Sequence, residues 1–173
     1  GQTIALSDIT SGTNPLTTIN GHHIAQWDAT DIYCVTIQDL NTFQAHLSCA
    51  TIDGKDLWLF DENGYGVSMV DGCNFSVTQV TSQFGSVSGL YYLAVTANNS
   101  EAQSSSGSIW NPLTVSGERA PDGPGAANPL SSWVDPPSVI TTNYTVYLSG
   151  AEVCDGAVSN ESIQWGNIKS SYR

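Results

Sequence analysis

The chain has 173 residues, with 4 Lys plus Arg against 16 Asp plus Glu and a formal net charge of −12. That length suits one domain able to bury most of its apolar surface. So few basic side chains cannot neutralise a row of phosphates and would be repelled by anionic headgroups, which excludes nucleic acid and acidic membrane surfaces as partners.

In chain order, residues 1–10 read as a short strand, with Ile4 and Leu6 on one face and Ala5, Ser7 and Ile9 on the other. Ser11-Gly-Thr-Asn-Pro15 is a breaker that separates this strand from the rest. Leu16 to Ile24 is a second strand, interrupted by the hairpin-type pair Asn20-Gly21. Asp31 to Gln38 and Thr42 to Cys49 flank Asp39-Leu-Asn41 and read as a hairpin. Tyr33, Val35 and Ile37 alternate on one arm, and Phe43, Ala45, Leu47 and Cys49 on the other, which puts one face in a core. Asp56 to Phe60 is apolar on both faces and reads as a central strand. Val67 to Val70 and Asn74 to Val80 follow around Asp71-Gly72, and Gly89 to Thr96 is a second central strand. Residues 97–108 are small and polar and read as an exposed loop. Residues 117–138 hold five of the seven prolines and read as a second long loop, carrying Trp133. Asn143 to Ser149 is the closing strand, before a tail from Glu152 to Arg173 that Cys154 and Trp165 pin. No run has helical spacing or repeats. The organisation is an N-terminal strand (1–10), a linker (11–15), a domain (16–151) and a packed extension (152–173). The fold class is an all-β antiparallel sandwich, jelly-roll or immunoglobulin-like.

Only 12% of residues are charged, about half the usual share, so solubility rests on Ser, Thr, Asn and Gly, as in many secreted proteins. Cys34, Cys49, Cys73 and Cys154 include no C-x-x-C pair, and the three histidines lack zinc-ligand spacing. Two disulfides in an oxidising compartment are the reading, with three connectivities open. Sequons at Asn74, Asn98, Asn143 and Asn160 are compatible with surface glycosylation. No stretch has the length of a membrane span, and a start at Gly1 fits a secreted product whose leader has been cleaved.

Five motifs in order carry a family likeness: Asp31-Ile-Tyr33, Leu57-Trp-Leu-Phe-Asp61, Gly89-Leu-Tyr-Tyr-Leu-Ala94, Gly123-Pro-Gly125 with Trp133, and Tyr144-Thr-Val-Tyr-Leu-Ser-Gly-Ala151. Over about residues 12–151 the chain resembles the bacterial pre-peptidase C-terminal-like domains, particularly those of secreted proteins with PEP-CTERM-type sorting signals. The resemblance implies an extracellular jelly-roll-like sandwich without catalytic machinery. The four cysteines and the two terminal stretches depart from that pattern, which fits a free-standing secreted subunit.

Asp61-Glu-Asn63-Gly-Tyr-Gly66 opens like a calcium loop, with Asp61 and Asn63 as oxygen donors. Tyr65 and Gly72 stand where further donors are needed, and a strand-ending turn explains the same residues. His22 and His23 point to opposite faces of a strand and His46 lies opposite its core-facing neighbours; none accompanies a nucleophile motif, so all three read as surface histidines. Neither an enzyme nor a cofactor is expected. Trp110 and Trp133 lie in loops, where they either pack or form a sugar-stacking platform. The sequence thus points to a subunit of an extracellular filament, pilus-like or matrix fibre, whose partners are copies of itself. Ile4, Leu6 and Ile9 would form a donor strand that pairs with a neighbouring copy. A secreted glycan- or matrix-binding module acting through Trp110 and Trp133 is the second reading.

Overall fold

Alternation of β-branched and aromatic residues with polar ones dictates strands, and the computed structural model is built from them almost throughout its described residues, 3–23, 29–48, 54–70, 77–112, 117–135 and 142–154. Twelve strands run β1 Asp8–Ile9, β2 Leu16–His23, β3 Thr30–Ile37, β4 Gln44–Ser48, β5 Lys55–Asp61, β6 Gly66–Val70, β7 Val77–Thr81, β8 Gly89–Ala97, β9 Glu101–Ser104, β10 Gly107–Ser108, β11 Leu130–Val134 and β12 Thr142–Val153. The one helical element among the described residues is a 3-10 turn at Ile4–Leu6.

Strand β12 organises the sandwich. Val146 and Tyr147 pair with β2 and with β4, so those two strands flank β12 on opposite sides. Further along, Ala151 pairs with Leu16 of β2 and with Ile37 of β3, which places β3 on the side of β12 that β4 occupies earlier. One sheet therefore runs β6-β5-β8-β3 and the other β7-β4-β12-β2, with the last residues of β12 joined to both. The register shift between Tyr147 and Ala151 contains Gly150 at φ +66. A Cβ there would come within 2.8 Å of the Thr42 and Phe43 backbone, so a glycine lets β12 cross from sheet to sheet. At the other side Ser68 Oγ donates to the Thr81 carbonyl at 3.2 Å, and β6 and β7 nearly close the sandwich into a barrel.

Two cores explain why β5 is apolar on both faces. Leu57 and Leu59 join Val35, Ile37, Leu47, Leu93 and Val146 between the sheets. Trp58 and Phe60 point outwards, under a separate three-stranded sheet ordered β10-β9-β11, and pack there with Ile32, Ala94, Ile109 and Trp110. Each such fully buried side chain contributes about 1.5–3 kcal/mol. The expected all-β sandwich and both central strands are present, β5 between β6 and β8, and β8 between β3 and β5.

Several local expectations are corrected. β3 and β4 are not a paired hairpin: each pairs with β12, and residues 38–43 carry the chain between sheets, with Asp39 Oδ1 accepting the Asn41 N–H at 2.8 Å. Asn20-Gly21 is not a turn but lies inside β2, paired with Thr145 and Tyr144. The polar stretch 97–108 is not a loop; Ala102 and Ser104 alternate inwards and make it a hairpin over the tryptophans. Trp133 sits on strand β11 rather than in a loop. The turn at Asp71-Gly72 and the tail beyond Cys154, with Trp165, lie outside the described residues.

Candidate functional site

The N-terminal segment departs from a simple strand. Ile4–Leu6 form the 3-10 turn, closed by the Leu6 N–H to the Thr3 carbonyl at 2.9 Å. Only Asp8 and Ile9 are strand, and they pair in parallel with Tyr33 and Cys34 of their own chain. The expectation that residues 3–10 pair only with a neighbouring copy is thus corrected for the single chain, because β12 ends at Val153 and leaves that stretch of β3 open to β1. Thr10 fixes the end of the segment: its Oγ1 donates to the Cys34 carbonyl at 2.6 Å and accepts the Cys154 N–H at 3.0 Å. Ile4 packs against the second core, whereas Leu6 and Ile9 are 68% and 53% exposed. Residues 11–15 that follow are all exposed.

Beneath Thr10 lies the Cys34–Cys154 disulfide, with Cα atoms 5.9 Å apart. Cys49 and Cys73, and therefore any second bridge, lie outside the described residues.

The expected surface histidine His23 is instead fully buried, in a polar node that the sequence reading missed. Alternation along β2 turns Ile19, Gly21 and His23 inwards, and β3 and β5 turn Asp31, Tyr33 and Lys55 towards the same end of the inter-sheet core. Lys55 Nζ lies 3.1 Å from His23 Nδ1. An ammonium only donates, so Nδ1 accepts, and the Nε2–H is left to donate to the Val95 carbonyl at 3.2 Å. Burial, then the Lys55 ammonium, pushes His23 down to about 4 against the Val95 carbonyl, which favours the charged ring. The Asp31 carboxylate, 3.4 Å from Nε2, also favours the charged ring but takes the Tyr144 hydroxyl as a donor. Tyr144 and Tyr33 hydroxyls are 2.8 Å apart. Burial first, then the Asp31 charge, pushes the Tyr144 phenol far above its ordinary value, so it stays a neutral donor. Gly21 makes room: a Cβ there would lie 2.1 Å from the Tyr144 ring and 2.5 Å from the Tyr33 hydroxyl oxygen. Every member faces another member or a backbone carbonyl, which is how a buried charged network is held together. The alternation of β2 was the signal for it, hidden by reading Asn20-Gly21 as a turn.

The other candidates fall into place around this frame. Trp110 is 3% exposed and meets Trp58 and Phe60 edge-on at 5.2 and 5.7 Å, while Trp133 does the same at 5.4 and 6.1 Å. Both therefore pack the second core, and the exposed Trp110–Trp133 platform is withdrawn. Asp61 Oδ1 accepts the N–H groups of Asn63 and Tyr65, each at 2.9 Å, so Asp61 and Asn63 build a turn. Among the described residues no group of three His, Cys, Asp or Glu side chains could hold a metal ion. His46 stacks on Tyr147 at 5.2 Å. Asn98 and Asn143 are exposed, with Asn143 Oδ1 2.5 Å from His22 Nδ1; Asn74 and Asn160 lie outside the described residues. Among the described residues no helix is long and apolar enough to cross a membrane.

No family model matches the chain, and no curated protein is similar to it.

Proposed function

We propose that this chain is a structural subunit of an extracellular filament, in which residues 3–10 exchange between copies, and that its role is assembly and not catalysis. One observation carries the reading. Leu6 and Ile9 are 68% and 53% exposed on a segment that a two-residue ladder, Thr10 and the packing of Ile4 on the second core hold to the domain, ahead of five exposed linker residues, of which Asn14 accepts the Val153 N–H at 2.9 Å. A segment held by so few contacts can leave its own β3 and occupy the same place on a second copy, re-forming the same hydrogen bonds. Exchange of identical contacts is nearly neutral, and a head-to-tail exchange that does not close propagates as a fibre. Burying the exposed parts of Leu6 and Ile9 between copies adds about 2–4 kcal/mol. Association costs about 4–15 kcal/mol, so further contact between the weakly charged surfaces is part of the proposal. The disulfide and the likeness to secreted pre-peptidase C-terminal-like domains support an oxidising, extracellular setting.

Light scattering over a concentration series, with negative-stain microscopy, tests this. The intact chain should form filaments, deletion of residues 1–10 should leave a soluble but less stable monomer, and Ile9→Asp should block growth without unfolding the monomer. An intact chain that stays monomeric at every concentration, with its Ile9 amide protected from exchange, would sink the proposal.

A further inference from the structure

The two layers of the sandwich differ in what lies outside them. The small sheet roofs the outer face of β6-β5-β8-β3. On the outer face of β7-β4-β12-β2, by contrast, Asn20 and His22 of β2, Asn143 and Tyr147 of β12 and Gln44 of β4 stand exposed. Alternation with the buried Val146, Leu148 and Ala45 turns them outwards. This face is uncharged: none of the described side chains it presents is Asp, Glu, Lys or Arg, in a chain of net charge −12. Among the described residues the fully exposed carboxylates are Asp8, Asp39, Glu62 and Asp122, and all lie on connections or on the N-terminal segment. Two copies that approach through those surfaces bring like charges together, and through this face they do not.

The face is also ordered. Thr145 Oγ1 donates to Asn20 Oδ1 at 2.7 Å, His22 Nδ1 lies 2.5 Å from Asn143 Oδ1, and the His46 and Tyr147 rings stack at 22°. Side chains already tied to one another have less freedom to lose on contact. Asn, Gln, Thr and Tyr each both donate and accept, so such a face complements its own two-fold copy, as a face of one charge sign does not. Four strands about 4.8 Å apart, with residues 143–149 rising about 3.4 Å each, span roughly 19 Å by 23 Å. Two such faces cover on the order of 900 Å² together, the range of weak and transient contacts. We propose that two copies of this chain pair here face to face, about a two-fold axis, in a weak isologous contact. The surface is separate from residues 3–10, and the pairing does not depend on the filament reading.

The test is sedimentation equilibrium and amide NMR of the Ile9→Asp chain, in which strand exchange does not contribute, up to about 2 mM. A monomer–dimer equilibrium with a dissociation constant on the order of 1 mM is expected, with concentration-dependent shifts confined to β2, β12 and β4. Added salt should strengthen the pairing, because it screens the repulsion between two acidic copies. Tyr147 and Thr18 are exposed cross-strand partners on the face. Tyr147→Glu and Thr18→Glu, added singly, should each weaken the pairing about tenfold or more with the circular dichroism unchanged. Ser86→Glu adds the same charge on an exposed connection and should weaken it less than about twofold. Three results would overturn the proposal. The chain could sediment as a monomer throughout, or both face variants could pair as the parent does. Shielding of Tyr147 from a soluble paramagnetic agent in the monomer would equally overturn it, since the chain itself would then cover the face. None of these bears on filament growth.

Discussion

Removing the Cys34–Cys154 bridge should destabilise the fold as much as the most costly single core truncations. The bond closes a sequence separation of 120 residues. In the chain-entropy treatment a loop of that length withholds about 16 cal/mol/K from the unfolded ensemble, or about 5 kcal/mol at 25 °C. For a domain of this size 1 kcal/mol moves the melting temperature by about 2–4 °C, so Cys34→Ala/Cys154→Ala should melt about 10–20 °C lower. Both sulfurs are buried, and the Cys34 carbonyl and Cys154 N–H both bond Thr10 Oγ1, so the loss should reach the N-terminal segment as well. Scanning calorimetry and urea titration of the parent and the double variant measure the first effect. Hydrogen exchange at Ile9 and Thr10 measures the second. A double variant melting within about 3 °C of the parent would refute the reasoning, because it would mean the folded state stores strain equal to the entropy gained.

Tyr144→Phe removes the hydroxyl shared by Asp31 and Tyr33 and should cost about 2–3 kcal/mol in urea titration, the range for a hydrogen bond to a buried charge. Gly21→Ala drives a methyl into both tyrosines and should cost about 1–3 kcal/mol or more. His23 is held at about 4 in the fold against an ordinary 6.5, so between those values the unfolded chain binds the extra proton. The contribution is complete above about pH 6.5 and is lost as pH falls towards 4. On that account the parent should lose about 3 kcal/mol more than His23→Gln between pH 7 and 4. Equal losses would place the acid sensitivity in other groups.

The fold was legible wherever one residue reports one environment. Leu57-Trp-Leu-Phe60 reads as a central strand because both faces are apolar, and both faces are covered. Residues 101–108 were not legible, because Ser and Gly bury as readily as they solvate once a tryptophan lies beneath them, and Ser104 satisfies its hydroxyl on the Gly125 carbonyl at 3.0 Å. The pairing of β3 and β4 was misread for a different reason: alternation gives the buried face of a strand and says nothing about its neighbour. Of the candidate residues, Ile9 and Leu6 showed their apolar character in sequence, but the 3-10 turn and the parallel step onto β3 depend on where β12 ends. The buried node needed residues from β2, β3, β5 and β12, and no local pattern joins elements so far apart in the chain.

Because β12 serves both sheets, neither can come away as an intact unit. Opening the β7-β4-β12-β2 layer withdraws Ala151, Glu152 and Val153 from β3, and freeing β3 from those residues unseats β12 in turn. Partial openings of the kind that expose long sheet edges are therefore coupled to loss of the whole core. For a protein of this surface chemistry, that means the routes to misassembly through half-opened molecules are closed at the same point where the chain crosses between layers.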